Sequence, residues 1–171
     1  MPMPTTAKPT MGTPTPHAST IDRPAIDGAL RAALLGCARK GVQLTDLRRE
    51  VLRLILTAEG PSTAYQLLAR LKETRASATP PTIYRVLNFL LEQHLIHRVE
   101  RLNAFVPCVE GGRQHDHAAQ FLICRRCGTV SEIEDSNVTR ALEHAAGANG
   151  FHPDRAVVEV DGTCAACFQT A

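Results

Sequence analysis

Pro80-Pro81-Thr82-Ile83-Tyr84-Arg85-Val86-Leu87-Asn88-Phe89-Leu90 is the stretch on which the fold turns. Two prolines do not continue a helix, but they can open one, because its first N–H groups have no partner inside it. Ile83, Val86, Leu87 and Leu90 then recur at helical spacing and make one apolar face. Upstream, Arg75 to Thr79 is a polar turn. Before it, Ala64, Leu67, Leu68 and Leu71 mark a helix over residues 62–73, capped by Ser62 or Thr63. Downstream, Leu95-Ile96-His97-Arg98-Val99 and Asn103-Ala104-Phe105-Val106 read as two short strands around a polar turn. Helix, turn, helix and hairpin in that order predict a winged helix-turn-helix. In that arrangement the last helix enters the DNA major groove and the hairpin flanks it. The competing reading is a winged fold used for protein contact alone.

Toward the N-terminus, Thr45 predicts an N-cap for a helix over 46–58, with Leu47, Val51, Leu54 and Ile55 inward, broken by Gly60-Pro61. Ile26, Leu30, Ala33, Leu34 and Cys37 line a further helix that Gly41 ends. Cys37 on that face reads as a buried thiol, not a ligand. Residues 1–20 are Pro, Thr and small residues, so a tail over 1–24 is expected to be disordered. His17 in it has no assigned role. The winged domain is placed at 25–107.

Past the hairpin the pattern changes. Ala119–Ile123, Thr129–Ile133 and Ala156–Val160 read as strands, and Asn137–Asn149 as a helix with Val138, Leu142 and Ala145 on one face. About fifty residues of mixed structure bury little surface alone and need a staple and a partner. Cys124-Arg125-Arg126-Cys127 and Cys164-Ala165-Ala166-Cys167 supply the staple. Four thiolates are the donor count of a closed tetrahedral zinc site, and Gly128 frees the backbone for the knuckle. Two redox dithiols are the weaker reading, since neither pair is expected to open a helix in a βαβ unit. The fold class is therefore α+β: a winged helix-turn-helix, a linker at 108–118, and a small α/β dimerisation domain at 119–171 with structural zinc.

Charge divides the same way. Residues 37–101 hold eleven Lys and Arg against six Asp and Glu, whereas 102–171 hold five against nine. A basic half suits a polyanion. The chain has 171 residues, 44% hydrophobic and without Trp, so its core is aliphatic. No apolar run approaches membrane-spanning length. The N-terminus lacks a basic-then-apolar signal pattern, so the cytoplasm is expected, where six cysteines read as metal ligands before disulfides.

Cys108, His115, His117 and Glu132, with His97 in the first hairpin strand, form a second set of candidate donors. Mixed Cys, His and carboxylate donors suit divalent zinc better than copper(I) or magnesium. An ion held by residues of both halves and the linker would favour one interdomain pose. Surface histidines and a solvated carboxylate are the competing reading. His94, at the end of a helix, reads as a cation beside its C-terminal dipole. His144 and His152 read as surface residues.

Leu44-Thr45, the Pro80–Leu90 helix, Cys124-x-x-Cys127-Gly128 and Gly162-x-Cys164-x-x-Cys167 together resemble the ferric uptake regulator superfamily. Phe89-Leu90-Leu91-Glu92-Gln93, Ile96-His97-Arg98-Val99-Glu100 and Cys164-Ala165-Ala166-Cys167 are most similar to its zinc uptake regulators, and the likeness covers about residues 28–168. The resemblance implies a homodimeric, zinc-responsive regulator, mainly a repressor, that binds duplex operator DNA and controls zinc-uptake genes. It implies no catalysis, no membrane and no small organic substrate. It implies at least two zinc ions per chain. A structural ion would sit on Cys124, Cys127, Cys164 and Cys167, and a regulatory ion on His97, Cys108, His117 and Glu132, with His115 a substitute for His117. It also implies DNA reading by Thr82, Tyr84 and Arg85. A bidentate guanine contact suits Arg85, and base methyls suit the Tyr84 ring. Lys40, Arg48, Arg49, Lys72 and Arg75 are candidates for phosphate contact, which positions without specifying. A histidine common in the family falls here near Arg155, so a third site built on that histidine is not expected. The alternatives are iron or manganese sensing and, distantly, a zinc hydrolase with Glu132 as base.

Overall fold

The computed structural model describes residues 23–108, 119–154 and 156–169. α1 (Arg23–Arg39) begins three residues before Ile26, with Pro24 in its first turn, where a missing N–H costs nothing. Gly41 closes it at φ +69°. The amides of Gly41 and Val42 return to the carbonyls of Ala38 and Cys37, both at 3.0 Å. That pairing satisfies carbonyls which would otherwise lack donors. Ile26, Leu30, Ala33 and Cys37 are buried, but Leu34, expected with them, is 45% exposed. It lies about 100° around the helix from Ala33, off the edge of a narrow stripe.

α2 (Asp46–Leu56) buries Val51, Leu52, Ile55 and Leu56, while Leu47 and Leu54 pack at the margin. Thr45 holds the N-cap position, but its side chain makes no capping bond. β1 (Ser62–Thr63) is a strand the sequence reading missed, and α3 (Ala64–Thr74) follows it directly. Thr63 serves both. It pairs with Ala104 in the sheet and forms a capping box with Gln66, whose side chain accepts the Thr63 N–H at 2.8 Å. α4 (Pro80–Glu92) opens on its prolines as expected. His94 closes it in the left-handed conformation at φ 55°, and the amides of His94 and Leu95 bond the carbonyls of Leu91 and Leu90. A backbone role thus joins the dipole role expected of this residue.

β2 (Ile96–Val99) and β3 (Ala104–Pro107) make the hairpin, and the sheet order is β1-β3-β2. Its strands show no inside-outside alternation of burial because both faces are covered. Ile96 and Phe105 join the helical core. Val99 and Val106 instead pack with Ala119, Phe121 and Ile123 of the second half.

That half comprises β4 (Ala119–Cys124), β5 (Val130–Ile133), α5 (Ser136–Ala148), β6 (Val157–Gly162) and α6 (Ala165–Gln169). The sheet order is β5-β4-β6, with β4 antiparallel to β5 and parallel to β6. Gln120 is 2% exposed. Its amide donates to Asp135 O at 3.0 Å and Thr139 Oγ1 at 3.2 Å, pinning the start of α5 to the sheet. Among the described residues none of α5 is buried, so the face of Val138, Leu142 and Ala145 is not covered within one chain. Leu122, Ile133 and Val160 on the sheet are also exposed and line one shallow apolar hollow. Among the described residues no helix is long and apolar enough to cross a membrane.

Candidate metal centres and nucleic-acid interface

The parallel pairing of β4 with β6 brings the two cysteine pairs together. Cys124 lies opposite Gly162 at the end of both strands, so Cys164 arrives two residues later at the same sheet end. The first pair sits on a knuckle in which the Gly128 amide returns to Cys124 O at 2.9 Å, and Gly128 takes φ +74°. Only a residue without Cβ enters that region freely. The second pair flanks the start of α6, a five-residue helix. No strand follows α6 among the described residues, so this is not the βαβ setting of a redox dithiol. The four sulfur atoms lie within 4.8 Å of one another, as one cluster and not two dithiols. Cys127 Sγ and Cys164 Sγ are 3.7 Å apart. Sulfurs bound at about 2.3 Å to a tetrahedral ion are about 3.8 Å apart.

Electrostatics point the same way. The backbone N–H groups of Cys127 and Cys164 hold the Cys124 thiol down at about 6. Hydrogen bonds with Cys164 and Cys127 push the Cys167 thiol up to about 12. Four sulfurs this close do not all ionise unaided, and a divalent cation removes that conflict. The donor set therefore fits zinc. Arg126 donates to the carbonyl of Cys167, which ties the two pairs together from outside.

The second cluster joins His97, Cys108 and Glu132, whose donor atoms also lie within 4.8 Å of one another. His97 stands on β2 opposite Val106, and Cys108 follows two residues later, its amide bonded to Leu95 O at 3.1 Å. Residues two apart on a strand share a face, so both side chains leave the hairpin on the same side. Glu132 reaches them from β5, its Oε1 3.1 Å from His97 Nε2. Their side chains are 6% and 10% exposed. Burial alone would lower the His97 pKa, but the Cys108 and Glu132 side chains outweigh it and raise it to about 9. A cation is favoured at this point. His115 and His117 lie outside the described residues, as does Arg155.

On α4, Tyr84 (53% exposed) and Arg85 project away from the buried face, and Thr82 is half-buried with its hydroxyl 2.9 Å from that of Thr79. Arg48 stacks its guanidinium 3.5 Å over the Phe89 ring and donates to Gln43 O at 2.6 Å. It shares a hollow with Thr82 and Arg85. Lys40 and Lys72 are exposed. Arg49 pairs with Asp46 at 2.9 Å, and Arg75 with Glu50 at 2.5 Å. Tyr65, at the start of α3, is 82% exposed and was missed by the sequence reading. Its signal was an aromatic ring on the polar side of an amphipathic helix.

The sequence model of the ferric uptake regulator family matches residues 39–161. The zinc uptake regulation protein of Escherichia coli K12 is 42% identical over 133 residues, which cover 78% of this chain and 77% of that protein. Among solved structures, a zinc uptake regulator complexed with zinc and DNA superposes with a TM-score of 0.81 at 40% identity, covering 85% of this chain and 96% of the other. The crystal structure of holo XcZur gives 0.77 at 40% identity, covering 84% and 99%. Two cysteine pairs closed on one point, a mixed donor cluster between the lobes and these likenesses lead to one assignment: the chain belongs to the ferric uptake regulator family.

Proposed function

We propose that this chain is a zinc-responsive transcriptional regulator, mainly a repressor of zinc-uptake genes, which binds operator DNA as a homodimer in the cytoplasm and catalyses no reaction. Residues 25–107 are assigned to the DNA-binding domain, whose first helix starts at Arg23, and 119–171 to the dimerisation domain; the tail expected over 1–24 and the linker expected over 108–118 lie, but for residues 23, 24 and 108, outside the described residues. The observation that carries this reading is the cluster of His97, Cys108 and Glu132, because its donors come from both lobes. His117, or His115 in its place, would complete the set. Bound zinc would supply the positive charge that holds these donors at one point. Cys108, a soft donor, favours zinc over iron or manganese. Cys124, Cys127, Cys164 and Cys167 would hold a structural zinc.

With His97 and Cys108 drawn onto Glu132, the hairpin is fixed against β5, and α4 with it. Two such domains on one dimer would address successive major-groove half-sites. Thr82, Tyr84 and Arg85 are assigned to base edges, and Lys40, Arg48, Arg49, Lys72 and Arg75 to phosphates. The apolar hollow of Leu122, Ile133 and Val160, with the uncovered side of α5, supports pairing with a second copy.

The test is a gel shift across buffered free zinc, on a palindromic operator recovered by selection from random duplex DNA, with bound metal counted alongside. Tight binding is expected only when the second site fills, and Cys108→Ser is expected to keep fold and dimer while losing the zinc response. Equal binding after chelation that empties the second site but leaves the four-cysteine site loaded refutes the reading.

A further inference from the structure

One row of side chains crosses the second sheet and faces the hairpin. Phe121 of β4 is paired directly with Glu132 of β5 and with Glu159 of β6. Directly paired residues project from the same face, so the three form a line. Each meets the hairpin at a different place. Glu132 lies 3.1 Å from His97. Phe121 packs against the His97 imidazole, centroids 5.7 Å apart and planes at 64°. Glu159 reaches the turn beyond β2: its Oε1 accepts the Glu100 N–H at 2.6 Å and its Oε2 the Arg101 N–H at 3.0 Å. Two residues along β6, Asp161 takes Arg101 Nε at 2.7 Å.

The Glu159 contact differs in kind from the others. Successive backbone N–H groups at a turn form a small positive concavity. A carboxylate that fills it with both oxygens makes two charge-assisted hydrogen bonds. Glu159 belongs to neither donor cluster. The turn is therefore seated on β6 by contacts that need no ion, while the donor cluster closes the other end of the same row.

We propose that Glu159 is a positioning residue for the second metal site, seating the hairpin turn on β6 and so setting how often His97 stands opposite Glu132 before metal arrives. The inference rests on the reading of that cluster as the regulatory zinc site. Apparent affinity falls in proportion to the fraction of protein already in the competent pose. Loss of the Glu159 bonds lowers that fraction with every donor intact.

The experiment uses the full-length protein with the four-cysteine site loaded and the second site emptied by a chelator. Wild type, Glu159→Ala and Glu159→Gln are compared. Amide hydrogen exchange is read on a peptide spanning residues 97–104, and zinc is then titrated against a competing chelator. Glu159→Ala is expected to speed exchange at Glu100 and Arg101 and to weaken second-site zinc affinity about tenfold, within the usual range of coupling between sites. Glu159→Gln, which accepts a hydrogen bond without charge, falls between. Unchanged exchange, or unchanged zinc affinity in Glu159→Ala, overturns the proposal. If Glu159→Ala does not fold, Glu159→Gln makes the same comparison. Operator binding by the wild-type protein, with and without zinc, judges the regulatory reading separately. Should the site bind zinc while the operator response stays flat, that reading fails, and the exchange and affinity data still decide the role of Glu159.

Discussion

Arg85 and Glu50 illustrate two uses of charge. Arg85 is exposed on α4, with no ion pair among the described residues. A guanidinium there can bond two acceptors on a guanine edge, a contact that discriminates by about 1–3 kcal/mol. Arg85→Ala is expected to reduce operator affinity about tenfold or more while leaving binding to random duplex nearly unchanged, as measured by competition gel shift. Equal loss on both DNAs would mean the residue touches only phosphate. Glu50 instead works inside the protein. The Thr74 hydroxyl and then Arg75 hold its carboxyl below the ordinary 4.5. A carboxylate whose folded value is depressed adds stability above its unfolded pKa and loses it as pH falls through the folded one. Glu50→Gln is therefore expected to cost about 0.5–1 kcal/mol at pH 7. The gap to wild type should close as the medium is acidified below the ordinary Glu range, read as the difference in urea midpoints. A gap that stays constant with pH would assign the effect to packing.

At the scale of elements, the five longer helices were legible because apolar residues at i, i+3 and i+4 need no long-range information. β1 was not. Ser62-Thr63 reads locally as a cap, and its strand character exists only because β3 lies alongside. Thr63 ties the two roles together. Thr63→Ala is expected to lower stability by about 1 kcal/mol through loss of the cap. Thr63→Ser, which keeps the hydroxyl, should recover most of it in the same urea titration. If serine fails to rescue, the strand pairing and not the cap is what Thr63 contributes. α6 was missed for a related reason. Five residues carry too little periodicity to signal a helix, and the Cys-x-x-Cys spacing dominated the reading.

At the scale of the molecule, the second half holds few buried residues beyond one face of β4. The structural zinc proposed for the four-cysteine cluster would therefore add folding energy to it. Cys124→Ser is expected to lower the melting temperature by about 10 °C and to weaken the dimer, since an unpaired donor set no longer ties β4 to β6. Calorimetry and sedimentation velocity would show it, and an unchanged melting temperature and dimer would make the cluster dispensable for folding. Cys108→Ser, by contrast, leaves that staple intact. The pair of substitutions thus tests the two proposed metal roles separately.

The winged helix-turn-helix order, the exposed face of α4 and the four-thiol set were readable before folding, because each follows from local spacing or residue chemistry. The sequence also nominated His97, Cys108 and Glu132, but their meeting required β5 to bring Glu132 to the hairpin. That the hairpin is buried on both faces, that Gln120 pins α5, and that Glu159 caps the Glu100–Arg101 turn emerged from the folded chain alone. These are contacts between residues up to 59 positions apart. Strand register sets them, and register is a property of the assembled sheet that no short window of sequence contains.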